Sequence, residues 1–127
     1  MALRNWSDDI LLVDLPREPR MRTELKTIID VVRDKGDCDV VADFVNVDIM
    51  TSASISALLR LRKLLADCGH RLLFCNVSPA TRSVLNVVGL EEVFEFAADI
   101  TVAIDSLQSA GSGIAANKGQ GRPATTA

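Results

Sequence analysis

The sequence predicts an α/β fold with a mostly parallel, mixed β-sheet of four to five strands and about four α-helices. Two observations predict it. Short β-branched apolar segments alternate with amphipathic segments of helical period over residues 3–107, which is typical of strands joined by right-handed helical crossovers. The 127 residues are also 48% hydrophobic but only 4% aromatic, and a core of Val, Leu, Ile and Ala suits a sheet covered by helices.

The first part of the chain predicts two strands and a helix. Ile10–Leu15 is a strong strand candidate, and Leu3–Trp6 is placed to pair with it antiparallel across a short polar turn. Over Arg20–Lys35 the apolar residues recur with the period of a helix, and Gly36 stands where the residue after a helix belongs. We expect this helix to lie on the sheet through Met21, Leu25, Ile28, Ile29 and Val32.

The middle of the chain predicts a strand, a helix and a second strand. Val40–Val47 is a nearly continuous apolar run, as expected of a strand buried on both faces. Ser54–Asp67 follows as an amphipathic helix, and we expect His70 in the turn after it to be solvated. Arg71–Val77 then returns as a strand. The helix residues expected to face the core are Ile55, Leu58, Leu59, Leu61, Leu64 and Leu65.

The last third predicts a helix, a short strand and a final helix. Ser78 is an N-cap serine followed by a proline at the first helical position, and this helix is expected to stop at Gly89. Val93–Phe96 is a short strand candidate, and Asp99 caps the last helix. The apolar face of that helix consists of Ile100, Ala103, Ile104 and Leu107.

The chain divides into one folded domain and a tail. Residues 1–107 carry the alternating elements, and a single domain of this length can bury a core of its own. Residues 108–127 are small, polar and rich in Gly, Ala and Ser, without enough apolar surface to offset the entropy lost on ordering. We therefore predict that this C-terminal tail is disordered.

Charge and hydropathy argue against several classes of partner. The 14 basic and 17 acidic residues give a formal charge of −3, which argues against nucleic acid bound through its phosphates. No apolar run approaches the roughly 18 residues that span a bilayer, and the first residues lack the apolar core of a signal peptide. The three cysteines show no metal-binding spacing and are expected to be reduced thiols. We expect a cytoplasmic protein that does not enter the membrane.

The inventory of catalytic groups is poor. One histidine and scattered cysteines do not make a zinc site. The chain also has neither a glycine-rich phosphate loop nor a nucleophile elbow. Aspartates flank the strands, but not in the arrangement of the Mg²⁺-binding receiver domains. We therefore expect a binding module rather than an enzyme, with no cofactor and no metal.

One segment suits a modification site. Thr51, Ser52 and Ala53 lie between a predicted strand and a predicted helix. A helix N-terminus has unpaired backbone N–H groups and a partial positive charge, so it favours a hydroxyl or a phosphate. The local sequence leaves two interpretations open. Thr51, Ser52 or Ser54 is an ordinary N-cap, or Ser52 is presented to solvent as a phosphate acceptor.

Three segments together resemble a known family. They are VVADFVNVDIMTSASISALLRLRKLL, GHRLLFCNVSPATRSVLNVVGLEEVFEF and DITVAIDSL. Their order of strand, hydroxyl-rich turn, helix, strand and Ser-Pro-capped helix is similar to that of the STAS domain, specifically the stand-alone anti-sigma factor antagonists. The most specific part is Asn76–Phe96, in which the Ser-Pro cap and Gly89-Leu90 stand at the family's spacing. The resemblance covers residues 3–107 and implies the STAS fold.

The resemblance also implies a mechanism. In that family, the serine after a motif aspartate is phosphorylated by a partner anti-sigma factor, which is itself an ATP-dependent serine kinase. The unphosphorylated domain binds that kinase, and a phosphatase resets the cycle. By position Ser52 is the phosphoacceptor, with Thr51 and Ser54 as fallback acceptors where the family has Asp and Gly. The implied partner-binding residues are Thr51, Ser52, Ala53, Ser54 and Ile55.

A second function stays open beside this one. Some STAS domains are non-phosphorylated scaffolds or accessory subunits, in stressosome-like assemblies or beside a lipid-transport ATPase. The changed residues at Thr51 and Ser54 are compatible with such a role. A neighbouring gene for a serine-kinase anti-sigma factor would favour the first function, and one for a transporter ATPase would favour the second.

Overall fold

The computed structural model describes residues 2–7 and 9–112, with side chains described for residues 7 and 9–109. Its strands form one mixed sheet. They are β1 Ala2–Ser7, β2 Ile10–Asp14, β3 Asp39–Asp43, β4 Leu72–Cys75 and β5 Glu95–Ala97. The strands lie side by side in chain order, with β1 antiparallel to β2 and the other neighbouring pairs parallel. The predicted hairpin and the mostly parallel sheet are both confirmed.

Helices cover both faces of this sheet. Within the described part of the chain they are α1 Arg20–Lys35, α2 Ser52–Asp67, α3 Pro79–Val87 and α4 Ile100–Ser112. The first three helices contribute to one core cluster together with Leu11, Val13 and Val40. Because successive strand residues point to opposite faces, Leu12 and Val41 join a second cluster with α4. The predicted α/β architecture is therefore confirmed, and it has three layers: helices, sheet and helix.

Most of the predicted core residues are buried. All five apolar residues expected on the inner face of α1 are buried. In α2, three of the six expected residues are fully buried, namely Leu58, Leu61 and Leu65. The other three are only partly buried, namely Ile55, Leu59 and Leu64. Helical periodicity therefore identified the core face correctly and overestimated its width in α2.

The third strand is shorter than predicted. We expected a strand over Val40–Val47, but β3 ends at Asp43. The Asp43 carboxylate accepts the N–H of Val45 at 3.0 Å, and the N–H of Val47 bonds to the carbonyl of Phe44 at 2.9 Å. These bonds turn the chain, so Val45 is 64% exposed instead of buried.

The later boundaries also move by a few residues. β4 ends before Asn76, which has a φ of +57°. β5 begins at Glu95 rather than Val93, because Phe94 lies in the preceding turn with its ring 4.6 Å from that of Phe74. α3 starts at Pro79 as predicted, and it ends two residues before Gly89.

The last helix continues past Leu107 to Ser112. Asp99 accepts the N–H of Val102 at 2.9 Å, as expected of a capping residue. The predicted disordered tail, residues 108–127, begins inside this helix, and residues 113–127 lie outside the described residues. The boundary between domain and tail therefore stays a prediction.

His70 is not the solvated turn residue that we expected. Its side chain is only 21% exposed. Its two ring nitrogens lie 3.2 Å from an oxygen of Asp39 and 3.1 Å from an oxygen of Asp37. The same Asp39 oxygen accepts the N–H of Arg71 at 2.8 Å. The parallel pairing of β3 with β4 brings these residues together, over a sequence separation that a local pattern does not reveal.

Within the described residues, no helix is both long and apolar enough to cross a membrane.

Candidate functional site

The candidate site lies at the carboxyl edge of the parallel strands. Asp14, Asp43 and Cys75, near the ends of their strands, pair across the sheet. The segments that follow β2, β3 and β4 therefore leave the sheet at one edge. The β3–α2 segment, residues 44–51, carries the chain from this edge to Ser52.

Asp43 anchors the start of this segment. Its side chain is 6% exposed, and one carboxylate oxygen accepts both the Val45 N–H and the side-chain amide of Asn76, each at 3.0 Å. A buried carboxylate needs such donors, because an unpaired buried charge is costly. Asp43 therefore fixes where the segment leaves β3 and ties it to the end of β4.

Thr51 is the N-cap of α2. Of the two interpretations of the local sequence, an ordinary cap or a phosphate acceptor, the first therefore applies to Thr51. Its backbone is extended, with φ −85° and ψ 162°, and its hydroxyl oxygen accepts the Ser54 N–H at 3.1 Å. The same hydroxyl donates to the Ser54 hydroxyl oxygen at 3.3 Å. This arrangement satisfies one of the orphan N–H groups of the helix terminus.

Ser54 lies inside the protein. It is 0% exposed, and its hydroxyl is bonded to Thr51. A kinase cannot reach this hydroxyl while the first turn of α2 is folded. Of the two fallback acceptors, the structure therefore places Ser54 out of reach and gives Thr51 a capping role. Ser54 also adds nothing to a surface that a partner could touch.

Ser52 is the first helical residue of α2 and is exposed. Within the described residues, no acceptor bonds to the backbone N–H groups of Ser52 or Ala53. These groups carry the positive end of the helix dipole, and α2 has no acidic residue in its first turn. The site therefore has the geometry and the electrostatics to hold an anion on Ser52.

A groove runs beside this helix start. It has a volume of about 440 Å³ and lies between the first turns of α1 and α2. Arg22 and Lys26 of α1 line it together with Thr51 and Ala53. Glu18, in the β2–α1 segment, also lines it, and one of its carboxylate oxygens accepts the Thr51 N–H at 2.8 Å.

Two exposed apolar side chains stand in the segment that leads to Ser52. Val45 is 64% exposed and Ile49 is 69% exposed, whereas Val47 between them is buried. Large apolar residues exposed beside a polar site are a feature of protein interaction surfaces. The sequence pattern predicts a buried strand at Val45 and does not mark Ile49 or Glu18 as site residues. Val45, Val47 and Ile49 alternate with polar residues along the chain, and this alternation was the sequence feature that could have indicated exposed side chains at Val45 and Ile49.

Within the described residues, no three or more His, Cys, Asp or Glu side chains form a group that could hold a metal ion. The three cysteines are free: Cys38 and Cys75 are buried and Cys68 is exposed.

The sequence also matches a family model, that of the STAS domain, over residues 14–103. The chain is a STAS domain. The matched region reaches from the end of β2 into α4 and includes the whole site from Glu18 to Ile55. The fold and the family predicted from the sequence are therefore confirmed. No curated protein sequence matches this STAS domain.

Solved structures share its fold at low sequence identity. A chain of the stressosome, a signal integration and transduction hub, is 16% identical with a TM-score of 0.72, covering 88% of this chain and 100% of that one. An anti-sigma-factor antagonist domain protein from Planctomyces limnophilus is 21% identical with a TM-score of 0.66, covering 84% and 97%. The Bacillus cell fate determinant SpoIIAA in its phosphorylated form is 18% identical with a TM-score of 0.64, covering 83% and 96%. Anti-sigma factor antagonists and a stressosome protein are thus among the structural neighbours of this STAS domain.

Proposed function

We propose that this STAS domain is a regulatory binding module of the anti-sigma factor antagonist type. It docks a serine-kinase anti-sigma factor through the start of α2 and is switched by phosphorylation of Ser52, while a phosphatase restores the unmodified form. The observation that carries the proposal is the position of Ser52, exposed at the first residue of a helix whose leading N–H groups have no acceptor within the described residues.

A phosphate fits this position without unfolding the domain. Phosphoserine carries a charge of about −1.5 to −2 and three acceptor oxygens. At Ser52 these oxygens lie beside the free N–H groups and the positive end of the α2 dipole. Arg22 and Lys26 on the adjoining groove add positive charge. The folded domain therefore accommodates both states of the serine.

The same phosphate opposes docking. Thr51, Ala53 and Ile55, next to Ser52 in the chain, are at least partly exposed, and the segment that leads to Ser52 exposes the apolar side chains of Val45 and Ile49. A partner that covers these residues excludes water from Ser52. Enclosing a dianion there costs several kcal/mol through desolvation unless the partner pairs it, and each 1.4 kcal/mol is about tenfold in affinity. Phosphorylation is therefore expected to release the partner.

The structural neighbours support this proposal at the level of the fold. SpoIIAA, which shares this fold, is solved in a phosphorylated form, so a domain of this fold can carry a phosphate. The similarity to a stressosome chain supports the alternative in which this domain is a non-phosphorylated scaffold or accessory subunit. The two functions differ in whether Ser52 is modified.

The decisive experiment maps phosphate on the protein. The full chain is incubated with ATP and each anti-sigma factor kinase encoded in its own genome, and modified residues are identified by mass spectrometry. We expect one phosphate on Ser52 and none in the Ser52→Ala variant, while Ser56→Ala, which removes another exposed α2 serine, is modified like the wild type.

Two results would contradict the proposal. One is the absence of phosphate from residues 51–54 although the kinases modify another substrate, which would favour the scaffold function. The other is a Ser52→Asp protein that binds the kinase as tightly as the unmodified wild type.

A further inference from the structure

Glu18 reaches the site from a different part of the chain. It lies in the β2–α1 segment, 33 positions before Thr51, and its Oε2 accepts the Thr51 N–H at 2.8 Å. Its other oxygen, Oε1, is buried and has no hydrogen-bond partner among the residues that the structure describes. One carboxylate oxygen is therefore paired with the protein, whereas the other has no protein donor within the described residues.

The placement of this carboxylate has an electrostatic reason. Helices commonly carry an acidic residue in their first turn, where it faces the positive end of the dipole. α2 carries none there. Glu18 supplies the missing negative charge from the neighbouring segment, and Arg22 and Lys26 lie on the same groove. In the unmodified protein, the Glu18 carboxylate is thus the negatively charged group beside the N-terminus of α2.

We propose that Glu18 is a latch that a phosphate on Ser52 displaces, so that modification of Ser52 releases the part of the β2–α1 segment around Glu18, residues 16–19. This inference rests on the proposed phosphorylation of Ser52. The phosphate and the Glu18 carboxylate compete for the same positive helix end and repel each other. The phosphate prevails because it has the larger charge and is covalently held at the first helical residue.

The unpaired Oε1 favours this displacement. Release returns a buried acceptor to water, so the lost bond to Thr51 is partly offset by hydration of Oε1. Arg22 and Lys26 remain on the groove, which is also lined by Thr51 and Ala53, the two neighbours of Ser52. A signal at Ser52 thereby alters a second segment, residues 16–19, in which Arg17 and Pro19 are exposed.

The test uses phosphoserine placed at position 52 of the full chain by genetic-code expansion, so that no kinase is needed. Backbone NMR signals of Arg17, Glu18 and Arg20 are compared in the unmodified and phosphorylated proteins. We expect these signals to move on phosphorylation in the wild type. In Glu18→Ala they should already be displaced, and phosphorylation should move them no further.

A second measurement addresses the latch in the unmodified protein. Amide hydrogen exchange of Thr51 should accelerate about tenfold or more in Glu18→Ala, because a bond to a charged acceptor is lost. Glu18→Gln keeps an acceptor oxygen and should restore much of this protection, while still reducing the response to phosphate. Glu92→Ala, which removes an exposed carboxylate after α3, should change neither readout.

The outcomes separate this inference from the proposed function. Signals of residues 17–20 that stay fixed on phosphorylation, or that move equally in Glu18→Ala, overturn the latch even if a kinase modifies Ser52. Movement that depends on Glu18 supports the latch even if no kinase of the cell modifies Ser52, a result that would instead remove the proposed function.

Discussion

Thr51 shows how much of this site depends on single side chains. Its hydroxyl closes the first turn of α2 by accepting the Ser54 N–H, while its own backbone N–H is held by Glu18. The result is that Ser52 faces solvent and Ser54, two residues later, is fully buried. Successive helical residues point about 100° apart, so a one-residue shift in helical register would change which hydroxyl faces solvent.

We predict that Thr51→Ala lowers the free energy of unfolding by about 1–2 kcal/mol, because N-cap substitutions of this kind cost that much and the buried Ser54 hydroxyl loses its partner. Urea unfolding measures the change. Thr27→Ala makes the same substitution at an exposed position within α1 and should stay within about 0.5 kcal/mol. Equal effects of the two substitutions would argue against the capping role.

At the scale of elements, α4 alone covers the second face of the sheet among the described helices. Its inner side chains pack against Ile10, Leu12 and Leu73, while the other three helices share the opposite face. On the face with three helices, a groove lies between α1 and the start of α2, next to Ser52. The candidate site is thus formed by the larger layer, and α4 acts as support.

We predict that Ile104→Ala, on the inner side of α4, destabilises the domain by about 2–5 kcal/mol, as large-to-small changes in a core do. Ile104 is 5% exposed, whereas Val102 on the same helix is 47% exposed. Val102→Ala should therefore change stability by no more than about 0.5 kcal/mol. Thermal or urea unfolding of both variants gives the comparison, and similar losses would mean that α4 does not cover the sheet as described.

At the scale of the whole molecule, closure of both faces determines which cysteines react. Burial raises the pKa of the Cys38 thiol and raises that of Cys75 to about 12, with Asp43, Asp99 and Asp14 adding to the effect at Cys75. Cys68, in contrast, is exposed at the end of α2. Since the thiolate is the reactive form, only Cys68 should react readily in the folded protein.

We predict that a maleimide reagent at pH 8 modifies one thiol of the native chain quickly, and all three in denaturant. Cys68→Ser should abolish the fast reaction, while Cys75→Ser should leave it unchanged if that variant folds. Three fast-reacting thiols in the native chain would show that the faces of the sheet are open. Mass spectrometry after a short exposure to the reagent counts the modified cysteines.

The same burial gives a pH dependence with a defined sign. A thiol whose pKa is raised by folding stabilises the folded protein fully below its ordinary pKa of 9.0. That contribution is lost as the pH rises from about 9 toward 12, because the unfolded chain then releases a proton that the folded chain retains. The fall of stability over this range should be shallower in Cys75→Ala than in the wild type.

The sequence by itself determined the architecture of this protein. Periodicity is a local property, so the inner face of α1, the Ser78–Pro79 start of α3 and the Asp99 cap of α4 were all readable from neighbouring residues. The position of a hydroxyl-rich turn between a strand and a helix was readable in the same way. The segment around Ser52 could therefore be identified before its surroundings were known.

Only the tertiary structure decided the details that give the site its chemistry. Asp43 turns the chain so that Val45 is exposed, Thr51 caps α2 so that Ser54 is buried, and Glu18 reaches Thr51 across 33 positions. These contacts join residues that are distant in sequence, or they depend on a hydrogen bond that shifts a helix start by one or two residues. Local sequence patterns determine neither the long-range contacts nor the exact helix start, because both depend on how the elements pack at the carboxyl edge of the sheet.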